Sequence, residues 1–103
     1  LAGHACTLAF GVPTQYAMLA GDARWGAPLP ALRRFVAGGA PCPPALRDAI
    51  RGVGYGLHEA YGLTECGPNC FVHDDAAAAS NPGTVGWPAP FIDVRLVDEA
   101  GED

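Results

Sequence analysis

Short apolar runs alternate with helix-forming segments along the first half of this chain, and glycine or proline closes each of them. Residues 5–12 form an apolar run with a glycine near its end, the pattern of a buried strand. Pro13 and Thr14 then open a segment over 15–20 in which Tyr16, Leu19 and Ala20 share one helical face, and Gly21 stops it. A second strand-type run over 32–37, centred on Phe35 and Val36, ends abruptly in Gly38-Gly39-Ala40-Pro41. Pro43 and Pro44 stand where a helix begins, because the first turn has no use for proline's missing N–H. Leu46, Ala49 and Ile50 then line one helical face, Arg47, Asp48 and Arg51 take the other, and Gly52 and Gly54 end the segment. Residues 55–60 read as a third strand. Strand–helix–strand–helix–strand implies an α/β core, with a mostly parallel sheet flanked by helices and right-handed crossovers.

Beyond residue 60 the pattern loosens. Tyr61-Gly62-Leu63-Thr64-Glu65 reads as a tight junction, and residues 74–82, with four alanines and the turn pair Asn81-Pro82, read as a loop. Residues 91–97 alternate cleanly, with Ile92, Val94 and Leu96 on one face and Asp93 and Arg95 paired on the other. That predicts a half-buried strand of antiparallel type, followed by a turn over 98–101. Trp25 and Trp87 read as packing residues, and Asp74 and Asp75 as a solvated turn.

With 103 residues the chain is one domain at most. Its net charge is -5 and its six basic residues are dispersed arginines, which argues against a nucleic-acid partner. Lysine is absent, so no lysine can act as nucleophile or phosphate clamp; the single serine, Ser80, lies outside any nucleophile elbow. No apolar run approaches the roughly 18 residues of a membrane span. Cys6, Cys42, Cys66 and Cys70 are too few for a disulfide scaffold and read as reduced thiols of a cytoplasmic protein. Cys66-x3-Cys70-x2-His73, with His58 nearby, has an unusual spacing for zinc; small buried thiols fit it better. Leu1 at one end and an acidic turn cut short at the other lead to the expectation of an excerpt of a longer protein. No oligomeric state follows from the composition.

In an open α/β sheet, ligands bind beyond the carboxyl ends of the strands. Two small-residue turns fall at such ends, Gly38 to Pro41 and Tyr61 to Glu65, and both let backbone approach a flat ligand. Tyr61 offers an aromatic face, Thr64 a hydroxyl and Glu65 a carboxylate for a hard cation such as Mg2+. A base, a phosphate and its metal would need those three groups.

Five motifs in order also carry a resemblance. Tyr61-Gly62-Leu63-Thr64-Glu65 resembles the YGxTE motif of the adenylate-forming acyl-CoA synthetases, the AMP-binding superfamily that includes luciferases and adenylation domains. Gly38-Gly39-Ala40-Pro41 resembles its GGAP turn, residues 82–88 its PGxVGxP segment, residues 91–101 the strand and turn that follow, and Val12-Pro13-Thr14 its VPT stretch. The resemblance implies that residues 1–103 are a partial AMP-binding domain, truncated at both ends, from the middle of the family's N-terminal domain. It implies ATP and adenine contacts by Gly38, Gly39, Ala40, Pro41, Tyr61, Gly62 and Thr64, with Thr64 at the α-phosphate and Glu65 on Mg2+. It places Ala60, Gly39 and Gly67 against the acyl substrate; Ala60 stands where the family often has glycine. The implied reaction joins a carboxylic acid, a fatty acid first of all, to coenzyme A through an acyl-adenylate. An adenylation domain that loads a carrier protein, and a nucleotide-binding module without catalysis, are the alternatives. The family's phosphate loop and its C-terminal catalytic lysine are absent, so residues 1–103 alone are expected to be inactive.

Overall fold

A computed structural model describes residues 3–103. Its elements run β1 (Leu8–Gly11), α1 (Pro13–Ala20), β2 (Arg34–Gly38), α2 (Pro44–Gly52), β3 (Leu57–Leu63), β4 (Gly67–His73), α3 (Asp75–Ser80) and β5 (Trp87–Pro88). The strands form one mixed sheet in the order β1-β2-β3-β4-β5. The β1–β2 and β2–β3 pairs are parallel, and the β3–β4 and β4–β5 pairs antiparallel. The α/β class and the order of the first five elements agree with the sequence reading.

Parallel register sets Phe35 beside Ala9 and Leu57, and Ala37 beside Glu59. Strand side chains alternate between faces, so Phe35, Ala37, Leu57, Glu59 and Tyr61 share one face of the sheet. The two crossover helices cover that face. Phe35, Ile50 and Leu57 are fully buried there. The Phe35 ring meets Tyr16 and Tyr55 edge-on, at 5.3 and 5.5 Å between centroids, and Trp25 packs at 6.2 Å. The buried Tyr16 hydroxyl lies 2.7 Å from the Ala9 carbonyl and 2.8 Å from that of Val36, tying α1 to both strands. Burial pushes its pKa up to about 12. Gln15 secures the start of α1 by accepting the Val12 N–H at 3.0 Å.

Four expectations need correction. Tyr61 to Leu63 are not a junction: β3 continues through them, and only Thr64 to Cys66 turn, into β4. Residues 75–80 are not loop but α3, because the Asp74 carboxylate accepts the Ala77 N–H at 2.8 Å and caps the alanine run. Residues 91–97 pair with no strand among the described residues; Phe91 is wholly exposed and Leu96 nearly so. Alternation says where side chains would point, but a strand exists only when its backbone finds a partner. Arg95 accordingly pairs with Asp103 rather than Asp93. Finally, Trp87 is 60% exposed on β5 instead of packed. The turn expected near 98–101 does form, closed by the Gly101 N–H on the Asp98 carbonyl at 3.0 Å.

Candidate functional site

Gly38 of β2 pairs in parallel register with Ala60 of β3, so the chain leaves two neighbouring strand positions side by side at Gly39 and Tyr61. Gly39 turns the chain with φ +83°, a conformation side-chain-bearing residues rarely adopt, and so bends the corner toward Pro41. On the other strand, Gly62 alone spans the stretch where Pro68, Asn69 and Cys70 bulge on β4, between the pairs Tyr61–Phe71 and Leu63–Gly67. A Cβ on Gly62 would lie 2.3 Å from the Gly67 carbonyl oxygen, so only glycine lets the strands close here.

These two features bound a cavity of about 300 Å3. Gly39, Ala40 and Pro41 form one wall, and Ala60, Tyr61 and Gly62 the other. Tyr61 is 41% exposed, and its ring meets Phe71 in an edge-type contact at 5.9 Å between centroids. The structure thus gathers six of the expected residues around one cleft. Gly38, Thr64, Glu65 and Gly67 are not on its lining. Gly38 is buried at the end of β2, Thr64 and Glu65 are exposed on the turn just past Leu63, and Gly67 opens β4.

The floor holds charges that sequence reading did not place there. Arg47, expected on the outer face of α2, turns inward and pairs with Glu59; their side chains are only 15% and 18% exposed. The Arg47 Nη1 also faces Asp75 Oδ1 at 3.6 Å, and neither buried atom has a hydrogen-bond partner among the described residues. Arg51 holds the other Asp75 oxygen at 3.0 Å, so Asp75 is engaged rather than solvated. His73 is buried, its Nε2 3.1 Å from the Thr84 carbonyl and its Nδ1 3.2 Å from that of Asp74. Cys42 borders the same space, and burial raises its thiol pKa against the pull of Arg47. The usable signal for Glu59 was strand parity: it lies two residues from Leu57, hence on the helix-covered face. Nothing in linear spacing marks Arg47 as its partner. Among the described residues, no three His, Cys, Asp or Glu side chains cluster as a metal site.

An apolar-walled cleft with a charged floor, at the carboxyl ends of adjacent parallel strands, is where α/β proteins take their ligands. The family described as AMP-binding enzyme matches residues 1–103. A feruloyl-CoA synthase from an Amycolatopsis species is 42% identical, over 93% of this chain and 20% of its own length. The N-terminal domain of FACL13 from Mycobacterium tuberculosis superposes with TM-score 0.89 at 24% identity, covering 97% of this chain and 25% of that one. The anthranilate CoA ligase AuaEII, solved with anthranoyl-AMP, superposes with TM-score 0.78 at 26% identity, covering 93% and 19%. The chain belongs to the AMP-binding enzyme family. It spans about a fifth of the length of the curated relatives it matches. No described helix is long and apolar enough to cross a membrane.

Proposed function

We propose that this chain is the adenine-side part of a ligase that activates a carboxylic acid with ATP and passes the acyl group to coenzyme A. The observation that carries the reading is the cleft itself: the Gly39 corner and the Tyr61 ring flank one space of about 300 Å3 just past the last parallel pair of β2 and β3. In this reading the adenine slides between the backbone of Gly39 to Pro41 and the exposed Tyr61 ring, where stacking needs only a flat surface. Gly62 keeps the second wall close to β4. Ala60 and Gly39, with Gly67 at the start of the next strand, border the acyl group.

Thr64 and Glu65 lie on the exposed turn that follows β3, three and four residues beyond Tyr61. That is where the triphosphate of a base held at Tyr61 would run. The Thr64 hydroxyl donates to the α-phosphate. Mg2+ is commonly held by one or two carboxylates together with substrate phosphates, so the lone carboxylate of Glu65 fits as its protein ligand. When bound, Mg2+ would supply positive charge to offset that of the phosphates, held on the protein side by Glu65. The residues act by positioning and electrostatics rather than by covalent chemistry. The 103-residue chain on its own is expected to perform neither step.

The acid is read as a fatty acid, with an aromatic acid as the second reading because the feruloyl-CoA synthase relative is named for one. The test is ATP–pyrophosphate exchange by the full-length protein against fatty acids of graded length, cinnamic and benzoic acids, with coenzyme A and a carrier protein as alternative acceptors. Exchange that depends on one class of acid, followed by thioester formation on coenzyme A, is expected. No exchange with any acid would overturn the reading.

A further inference from the structure

The hairpin beyond the cleft places two thiols together. Cys66 ends the turn after Glu65 and is exposed, whereas Cys70 sits on β4 and is 4% exposed. Their sulfur atoms are 2.7 Å apart. The Cys70 sulfur also lies 3.1 Å from the Cys66 carbonyl oxygen and 3.4 Å from that of Gly67. We propose that Cys66 and Cys70 form a reversible disulfide that clamps the turn presenting Thr64 and Glu65; the clamp's effect on catalysis rests on the function proposed above.

The geometry demands little. A disulfide needs its sulfurs about 2.05 Å apart, so the pair must close by only a fraction of an ångström. The two thiols also divide the labour. Cys66 is the one an oxidant can reach. The Cys70 S–H points toward the Cys66 sulfur, and that hydrogen bond together with burial raises the Cys70 pKa. With hydrogen peroxide as oxidant, the Cys66 sulfur gives up its proton and attacks one peroxide oxygen. The O–O bond breaks, and the departing hydroxide takes that proton as water, giving a Cys66 sulfenic acid. The Cys70 sulfur then attacks the Cys66 sulfur, the S–O bond breaks, and the departing hydroxide takes the Cys70 proton as a second water. Two thiols are oxidised and one peroxide is reduced. Dithiol reagents reverse the bond by exchange.

The product is a ring closed over residues 66–70, which includes the bulge opposite Gly62. Glu65 is joined to that ring directly and Thr64 through Glu65, so their turn loses freedom when it closes. Cys6 and Cys42 are each half-buried in other parts of the sequence, before β1 and before α2.

The test uses the full-length protein, reduced, then exposed to hydrogen peroxide, alkylated and mapped without reduction. The expected product is a peptide linking Cys66 to Cys70, lighter by two hydrogen atoms and reopened by dithiothreitol, with Cys6 and Cys42 still alkylated. ATP–pyrophosphate exchange is expected to fall several-fold on oxidation and to recover on reduction. Cys66→Ser, at an exposed position, is expected to fold, to form no link and to make exchange insensitive to peroxide. Independent alkylation of Cys66 and Cys70 after peroxide, or linkage of Cys66 to any other thiol, would overturn the proposal. A link that forms while exchange stays unchanged would overturn the clamp. Absence of exchange in the reduced protein would instead sink the ligase reading, and the peptide map would still decide the disulfide.

Discussion

The two halves of the sheet are held together in different ways. The parallel half, β1 to β3, is backed by α1 and α2 around Phe35, which is 2% exposed between Tyr16 and Tyr55. The antiparallel half, from the far end of β3 through β5, keeps Phe71 half-buried and Tyr61, Leu63, Val72 and Trp87 exposed. One half is rigid through packing. The other is shaped by backbone constraints: the bulge opposite Gly62, the Thr64–Cys66 turn and the Asp74 cap. The cleft lies along their seam, so one wall is anchored in the core and the other is a hairpin whose buried side chains include Cys70 and His73 but no large hydrophobic residue.

The difference predicts unequal costs of truncation. Phe35→Ala should destabilise the chain by about 3–5 kcal/mol, the range for emptying an aromatic core position. Phe71→Ala should cost less than about 2 kcal/mol, since a half-buried ring gives up less apolar surface. Equal shifts in denaturant midpoint for the two would dissolve the contrast.

Gly62→Ala should cost about 1–3 kcal/mol by forcing backbone apart. Its damage should stay in the hairpin. Hydrogen exchange should quicken at residues 67–73 and hold at β1 and β2; acceleration across the whole sheet would show that the halves are one cooperative unit.

Tyr16→Phe comes next, at about 1–2 kcal/mol, the scale of a buried hydroxyl's lost hydrogen bonding. Because burial raises the Tyr16 pKa from 10.0 to about 12, its contribution is complete below pH 10.0 and is lost as pH rises toward 12. The variant should flatten that alkaline slope. The smallest effect belongs to His58, whose pKa is lowered from 6.5 by burial and then by Arg34. A depressed pKa means stability is full above 6.5 and declines as pH falls below it, since the unfolded chain takes up the proton first. His58→Asn should remove that decline, visible in thermal melts between neutral and mildly acidic pH.

What the sequence disclosed follows the same seam. β1, α1, β2, α2 and the start of β3 were legible because apolar runs and a helical stripe repeat at the periods of buried elements. β4 was not: Gly67-Pro68-Asn69 has the composition of a turn, and the bulge that accommodates it is a property of two strands together. α3 was hidden in an alanine run whose helix depends on one capping carboxylate. Residues 91–97 erred the other way, carrying a strand's alternation without a ladder among the described residues. In the site, Gly39 stood out because a turn at a strand end is local, and Tyr61 because the motif that carries it is contiguous in sequence. Arg47, Glu59 and His73 did not, because what makes them a floor is a contact between α2, β3 and β4.

The central claim is that a purine sits between the Gly39 corner and Tyr61. A crystal structure of the full-length protein with ATP tests it most directly. The account predicts the adenine between the Gly39–Pro41 backbone and the Tyr61 ring, with the phosphates leaving toward Thr64 and Glu65. An adenine bound elsewhere, with that space empty or filled by the acyl substrate, would contradict it.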